Sequence, residues 1–205
     1  MDQSTCADEE GVVRVNVPNY TMYARRAKVV AIVIGLLATL NTASTFAQAP
    51  GQLDTPAPDF RAHTLGPQPV ARTLADYRGK VVLLAVWATW CSGCRDEMAS
   101  MQRMFASYAA RGFRVVAVSI DRGSDAEISA FAQSLGLTFD IVRDDGDILT
   151  TYLSRGVPTT FLIDRRGIIR RRNFAAVDWD VEPRLGQIRK LIDEPEPPAP
   201  THNSP

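Results

Sequence analysis

Cysteine, histidine and net charge are all scarce in this chain. Its 205 residues include three cysteines and two histidines, and 23 basic residues are matched by 23 acidic ones. Three cysteines are too few for a disulfide-built scaffold. His63 and His202 leave little material for a zinc site, so no metal is expected. A neutral balance gives no electrostatic reason to expect nucleic acid. The longest uncharged apolar run, Val29 to Leu40, is shorter than the roughly 20 residues of a membrane span. What the chain does have is apolar content, 45% of its residues, enough for a packed core. The length then allows one ordinary domain with about fifty further residues.

The further residues lie at the two ends. Arg25, Arg26 and Lys28 precede the apolar run, and small residues follow it to Ala47-Gln48-Ala49. That order reads as an export signal over residues 22–49, cut after Ala49 or Ala47, or kept as a tilted signal anchor. Residues 1–21 are acidic and fit such a signal badly, which suggests an untranslated or disordered leader with translation starting at Met22. Cys6 then drops out of the chemistry. At the other end, Glu194 to Pro205 carries five prolines in twelve residues and reads as a disordered tail. Residues 54–193 remain as the domain.

Within that domain, strand and helix alternate. Lys80 to Trp87 is an unbroken apolar run of the kind found in a central strand covered on both faces. Cys91 to about Arg111 shows helical spacing, with Met98, Met101, Phe105 and Tyr108 on one side and Gly112 as the stop. Phe113 to Ile120 is a second buried strand. Ser124 and Glu127 form a capping box at the head of a helix to Leu135. A short strand near Phe139–Val142 and a helix from about Asp147 to Leu153 come next. Thr159 to Ile163 and Ile168 to Asn173 flank Arg165-Arg166-Gly167 as an antiparallel hairpin, and a last helix is predicted from about Trp179 to Ile192. The pattern predicts an α/β fold: a mixed sheet with helices on both faces.

The chemistry concentrates at Trp90-Cys91-Ser92-Gly93-Cys94, where a buried strand becomes a helix. Two thiols at this spacing reach bonding distance with little backbone movement. The free N–H groups of the helix start stabilise a thiolate on Cys91 and lower its pKa. Cys94, one turn deeper, stays protonated longer. Cys91 is therefore the attacking sulfur and Cys94 the resolving one. A structural disulfide spanning so few residues would gain little loop-closure entropy, and a zinc knuckle lacks two ligands.

The run Lys80 to Cys94 and the later Gly156-Val157-Pro158-Thr159-Thr160-Phe161-Leu162-Ile163-Asp164 resemble the TlpA/ResA-type thioredoxin-like thiol–disulfide oxidoreductases of bacterial envelopes. Pro56-Ala57-Pro58-Asp59-Phe60 is similar to that family's N-terminal lead-in. The resemblance implies a thioredoxin-like fold with a helical insertion over 121–156, between central strands. It also implies a cis Pro158 facing the disulfide, with Val157 and the partly exposed Trp90 as substrate contacts. Glu97 matches the family's Cys-x-x-Glu and is implied as a proton relay, the alternative being a solvated first-turn glutamate. Ala99 stands in place of a helix-kinking proline, which predicts a straighter helix. Ala85 replaces the buried aspartate of thioredoxins proper.

The implied activity is exchange with protein disulfides in the periplasm or cell envelope, as a reductase supplied by a membrane electron donor. No cofactor beyond the Cys91–Cys94 pair is implied, and a monomer is expected. Apocytochrome c thiols and copper-site cysteines are the implied substrates. An oxidase or isomerase of the same fold stays open. A peroxidase wants Thr or Ser three residues before its attacking cysteine and Pro seven before, where Ala88 and Leu84 stand. A copper chaperone would want a well-placed histidine. His63 reads as a surface loop residue. Arg165, Arg166, Arg170, Arg171 and Arg172 read as a charged edge hairpin, or as a basic strip for an acidic partner or lipid.

Overall fold

The computed structural model describes residues 51–195. The proposed leader with Cys6, the signal segment 22–49, and tail residues 196–205 with His202 lie outside the described residues. No helix among the described residues is long and apolar enough to cross a membrane.

The first two strands are short: β1 (Ala62–Thr64) and β2 (Ala71–Arg72). A 3₁₀ turn at Leu74–Tyr77 leads into β3 (Val81–Trp87), α1 (Ser92–Tyr108) and β4 (Phe113–Ser119). Then come α2 (Asp125–Ser134), β5 (Asp140–Asp144) and the single turn α3 (Ile148–Thr151). The chain closes with β6 (Thr159–Ile163), β7 (Ile169–Asn173) and α4 (Arg184–Asp193).

The seven strands form one sheet in the order β2-β1-β5-β4-β3-β6-β7. Strands β3, β4 and β5 run parallel, and every other pairing is antiparallel. All seven residues of β3 are buried, because its alternate side chains feed two cores. Val81, Leu83, Ala85 and Trp87 face Met98, Met101 and Met104 of α1 and Ile188 and Leu191 of α4. Val82, Leu84 and Val86 face Tyr77, Ile148, Tyr152 and Phe161. Helices do cover both faces, but unevenly: α1, α2 and α4 pack on one, and only α3 and the 3₁₀ turn on the other. The insertion between β4 and β6 is not purely helical, since it also supplies β5.

Local chemistry explains the element ends. Ser124 caps α2 with Glu127: Ser124 N–H donates to Glu127 Oε2 at 2.7 Å and Glu127 N–H to Ser124 Oγ at 3.3 Å. Helix α1 runs unbroken past Ala99 and closes through a 3₁₀ turn onto Gly112, whose φ of 87° is the left-handed conformation that favours glycine. The last helix starts five residues later than the sequence suggests. Pro183 stands at its N-cap, and the residue before a proline is disfavoured in helical geometry, so Trp179 lies in the preceding loop. Strands β1 and β2 went unseen because two or three residues carry no period. His63 is accordingly in β1 rather than in a loop, with its Nδ1 2.5 Å from Asp145 Oδ1.

Candidate active site

Cys91 is the N-cap of α1, extended at φ −89° and ψ 103°, and its Sγ accepts from Cys94 N–H at 3.2 Å. The two sulfurs are joined in a disulfide, with Cα atoms 5.3 Å apart. Cys91 is 8% exposed and Cys94 2%, so both are buried, and only Cys91 stands at the N-cap of the helix. Trp90 beside it is 68% exposed.

Two loops frame this pair. The Val157–Pro158 bond is cis, and a Cβ placed on Gly93 would stand 3.8 Å from Pro158 Cδ and 3.4 Å from Ala176 Cβ. The proline ring and the loop after β7 therefore lie directly against the dipeptide between the cysteines. Among the described residues neither the N–H nor the C=O of Val157 has a hydrogen-bond partner. On the other side, Asp121 accepts from Thr89 N–H at 2.9 Å, Thr89 Oγ1 at 2.8 Å and Ser119 Oγ at 2.7 Å. Those bonds tie the loop carrying Trp90 to the end of β4, a tether that sequence reading missed.

Glu97 is not a solvated first-turn residue. It is 2% exposed, and its Oε1 accepts from Trp179 Nε1–H at 2.7 Å and from Thr160 Oγ1–H at 3.0 Å. Thr160 lies opposite Ala85 in the β3–β6 register, and residues directly opposite in a sheet share a face. The small Ala85 thus leaves a carboxylate from α1 to reach the place where one from β3 would sit. Burial pushes the Glu97 carboxyl up to about 7, against the opposing pull of the Trp179 and Thr160 hydrogen bonds. Trp179 also donates its backbone N–H to Ser100 Oγ at 3.0 Å. Neither Trp179 nor Thr160 was singled out as a partner from the sequence, because they lie 82 and 63 residues from Glu97.

The arginine-rich hairpin is mostly engaged within the fold rather than presented as a strip. Arg165 donates to Gly79 O at 2.8 Å and Ile192 O at 2.9 Å. Arg170 pairs with Asp164 and Asp54, and Arg171 Nε donates to Gln187 Oε1. Among the described residues no group of His, Cys, Asp and Glu is arranged to hold a metal ion.

Comparison with known proteins agrees with this geometry. The profile of the AhpC/TSA family matches residues 53–172. The chain belongs to that family. The chain is 40% identical over 116 residues to the thioredoxin-like protein YneN of Bacillus subtilis, covering 56% of this chain and 66% of that one. It is 39% identical over 116 residues to the thiol–disulfide oxidoreductase ResA of Geobacillus thermodenitrificans, covering 56% of this chain and 65% of the relative. The match therefore spans just under two thirds of each of these relatives. A solved structure of a putative thiol:disulfide interchange protein DsbE from Chlorobium tepidum superposes with a TM-score of 0.61 at 33% identity, over 69% of this chain and 98% of that one. The thioredoxin-like fold of this AhpC/TSA family member is thereby established.

Proposed function

We propose that the chain is an exported thiol–disulfide oxidoreductase that reduces protein disulfides through Cys91 and Cys94. The observation that carries this reading is the disulfide at the β3–α1 junction, its first cysteine capping the helix beside the exposed Trp90. In the reduced protein, the Cys91 thiolate attacks a substrate disulfide and expels one substrate thiolate, which takes up a proton. Cys94 loses its proton and attacks Cys91 Sγ, releasing the second substrate sulfur as a thiol. Two electrons pass to the substrate, and the Cys91–Cys94 bond forms.

Surrounding residues have matching tasks. Val157 offers its unpaired backbone groups to an extended substrate segment, in the manner of strand addition, and Pro158 and Trp90 shape the adjoining surface. Glu97 shares a helix face with Cys94, three residues away in sequence, and accepts the proton that Cys94 gives up. Regeneration in an oxidising periplasm requires a dedicated electron donor at the membrane. The relatives' names support exchange chemistry. Apocytochrome c thiols and copper-site cysteines are the substrate classes we favour, with the protein acting as a monomer and without a further cofactor.

Direction is tested by the reduction potential of the Cys91–Cys94 pair, read by thiol trapping in glutathione or dithiothreitol buffers. A value near or below about −230 mV belongs with the reductases, whereas about −120 to −180 mV marks an oxidant or isomerase. The second result would reverse the direction of transfer proposed here.

A further inference from the structure

The C-terminal ends of β3, β4 and β5, the start of β6 and the end of β7 all lie at one end of the sheet, because β6 enters antiparallel to β3 and β7 leaves antiparallel to β6. Cys91 follows β3, in the middle of that row. A groove opens on each side of it. Towards β7, a groove of about 580 Å³ is lined by Leu153, Arg155, Val157, Arg172 and Phe174. Towards β5, a groove of about 660 Å³ is lined by Trp90, Asp121, Arg122, Asp144 and Asp147.

These grooves carry opposite charge. In the first, Arg155 is exposed and has no hydrogen-bond or ion-pair partner among the described residues. The Arg172 guanidinium sits 5.3 Å above the Phe174 ring and, among the described residues, donates only to a backbone carbonyl, that of Gly51. Leu153 and Phe174 are 46% and 52% exposed. Two cations on an apolar floor are thus open to a partner. In the second groove the half-buried Asp144 and the exposed Asp147 face the exposed Arg122, while Asp121 beneath them is buried with its oxygens taken by Thr89 and Ser119. The unpaired backbone of Val157 lies in the first groove, and the exposed Trp90 beside Cys91 lies in the second, so a chain laid over the disulfide passes from one to the other.

Spacing sets the register. Neighbouring strands are roughly 4.8 Å apart, so β5 and β7 each lie about 10 Å from β3. An extended chain advances roughly 3.3 Å per residue, which places each groove about three residues from a cysteine held at Cys91.

We propose that the two grooves read charge on either side of the reacting cysteine. The preferred substrate is an extended segment with an acidic side chain about three residues to one side, between Arg155 and Arg172, and a basic one about three residues to the other, beside Asp144 and Asp147. The proposal rests on the disulfide-exchange function above and specifies which segments it serves. Opposed charges in the grooves reject the reversed polarity as well as favouring the right one.

The test uses the reduced full-length protein and three synthetic peptides, each with one central cysteine capped as its mixed disulfide with mercaptoethanol. One carries Glu three residues before and Lys three residues after the cysteine, the second has these exchanged, and the third has Gln at both. Reduction oxidises Cys91 and Cys94 and yields the peptide thiol and mercaptoethanol. At low peptide concentration, one charged peptide is expected to react about three- to fivefold faster than the Gln peptide, the range of rim ion pairs, and the other slower. High salt removes the difference. Arg155→Glu removes the advantage and leaves the Gln peptide unaffected. Equal rates for all three peptides, or an advantage that survives in Arg155→Glu, overturn the groove assignment and leave exchange standing. Failure to reduce any of them, the Gln peptide included, overturns both.

Discussion

A carboxyl group that is 2% exposed and shares a helix face with a redox thiol takes its protonation state from its surroundings. For Glu97, burial raises the pKa from 4.5 to about 7. The fold therefore disfavours the ionised form: this contribution to stability is complete below pH about 4.5 and is lost as pH rises through about 7. Glu97→Gln keeps an oxygen for Trp179 and Thr160 but cannot ionise. It should unfold like the parent at pH 4.5 and be more stable at pH 8, by at most about 3 kcal/mol for a shift of this size. Urea titrations of the oxidised protein at both values check this, and a gap that does not widen with pH means that Glu97 titrates as an ordinary surface acid. The cysteines make a second prediction at the same scale. Cys94→Ser should accumulate a mixed disulfide through Cys91 on mixing with a disulfide substrate, whereas Cys91→Ser should trap little, as mass spectrometry of the acid-quenched reaction will show. Trapping mainly through Cys94 would exchange the two roles.

The elements that the sequence made legible are those whose cause is local. The unbroken apolar run of β3, the Ser124–Glu127 box and the Cys91–Cys94 spacing each lie within a few residues of one another. Glu97 was visible as a position on the helix but not as a buried group. Its burial depends on Trp179, brought over α1 by a loop that sequence reading took for helix. The β6–β7 hairpin was likewise visible, but not the group that organises it. Asp164 is 2% exposed and accepts from the backbone N–H of Arg166 and Ile168, each at 2.9 Å, and from Arg170 Nε–H at 2.9 Å. Nothing in the run Ile163-Asp164-Arg165 marks that carboxylate as buried, because its partners follow it around the turn. Asp164→Ala leaves Arg170 short of one partner and two backbone donors without any. A loss of about 3 kcal/mol is expected, since removing one side of a buried charged pair costs about that much. Denaturant unfolding measures it, and a loss under about 1 kcal/mol would show that solvent replaces the carboxylate.

For the molecule as a whole, redox state and folding are linked. A disulfide exchanger becomes a strong oxidant when its reduced form is the better stabilised one, as the comparison of DsbA with thioredoxin shows. In this fold the oxidised form has a particular arrangement to lose on reduction. The Cys91 and Cys94 sulfurs sit among the apolar side chains of the α1 core cluster, and the nearby carboxyl of Glu97 disfavours a second negative charge beside it. A Cys94 thiolate next to an ionised Glu97 would be repelled, so Cys94 stays a thiol and reduction leaves a buried S–H where the disulfide was. Oxidised protein should therefore melt at a higher temperature than the reduced form. Calorimetry of both forms tests this independently of any substrate. A reduced form that melts higher would mark an oxidant, and would place the direction of electron flow at odds with the reductase reading even though fold and cysteines stay as they are.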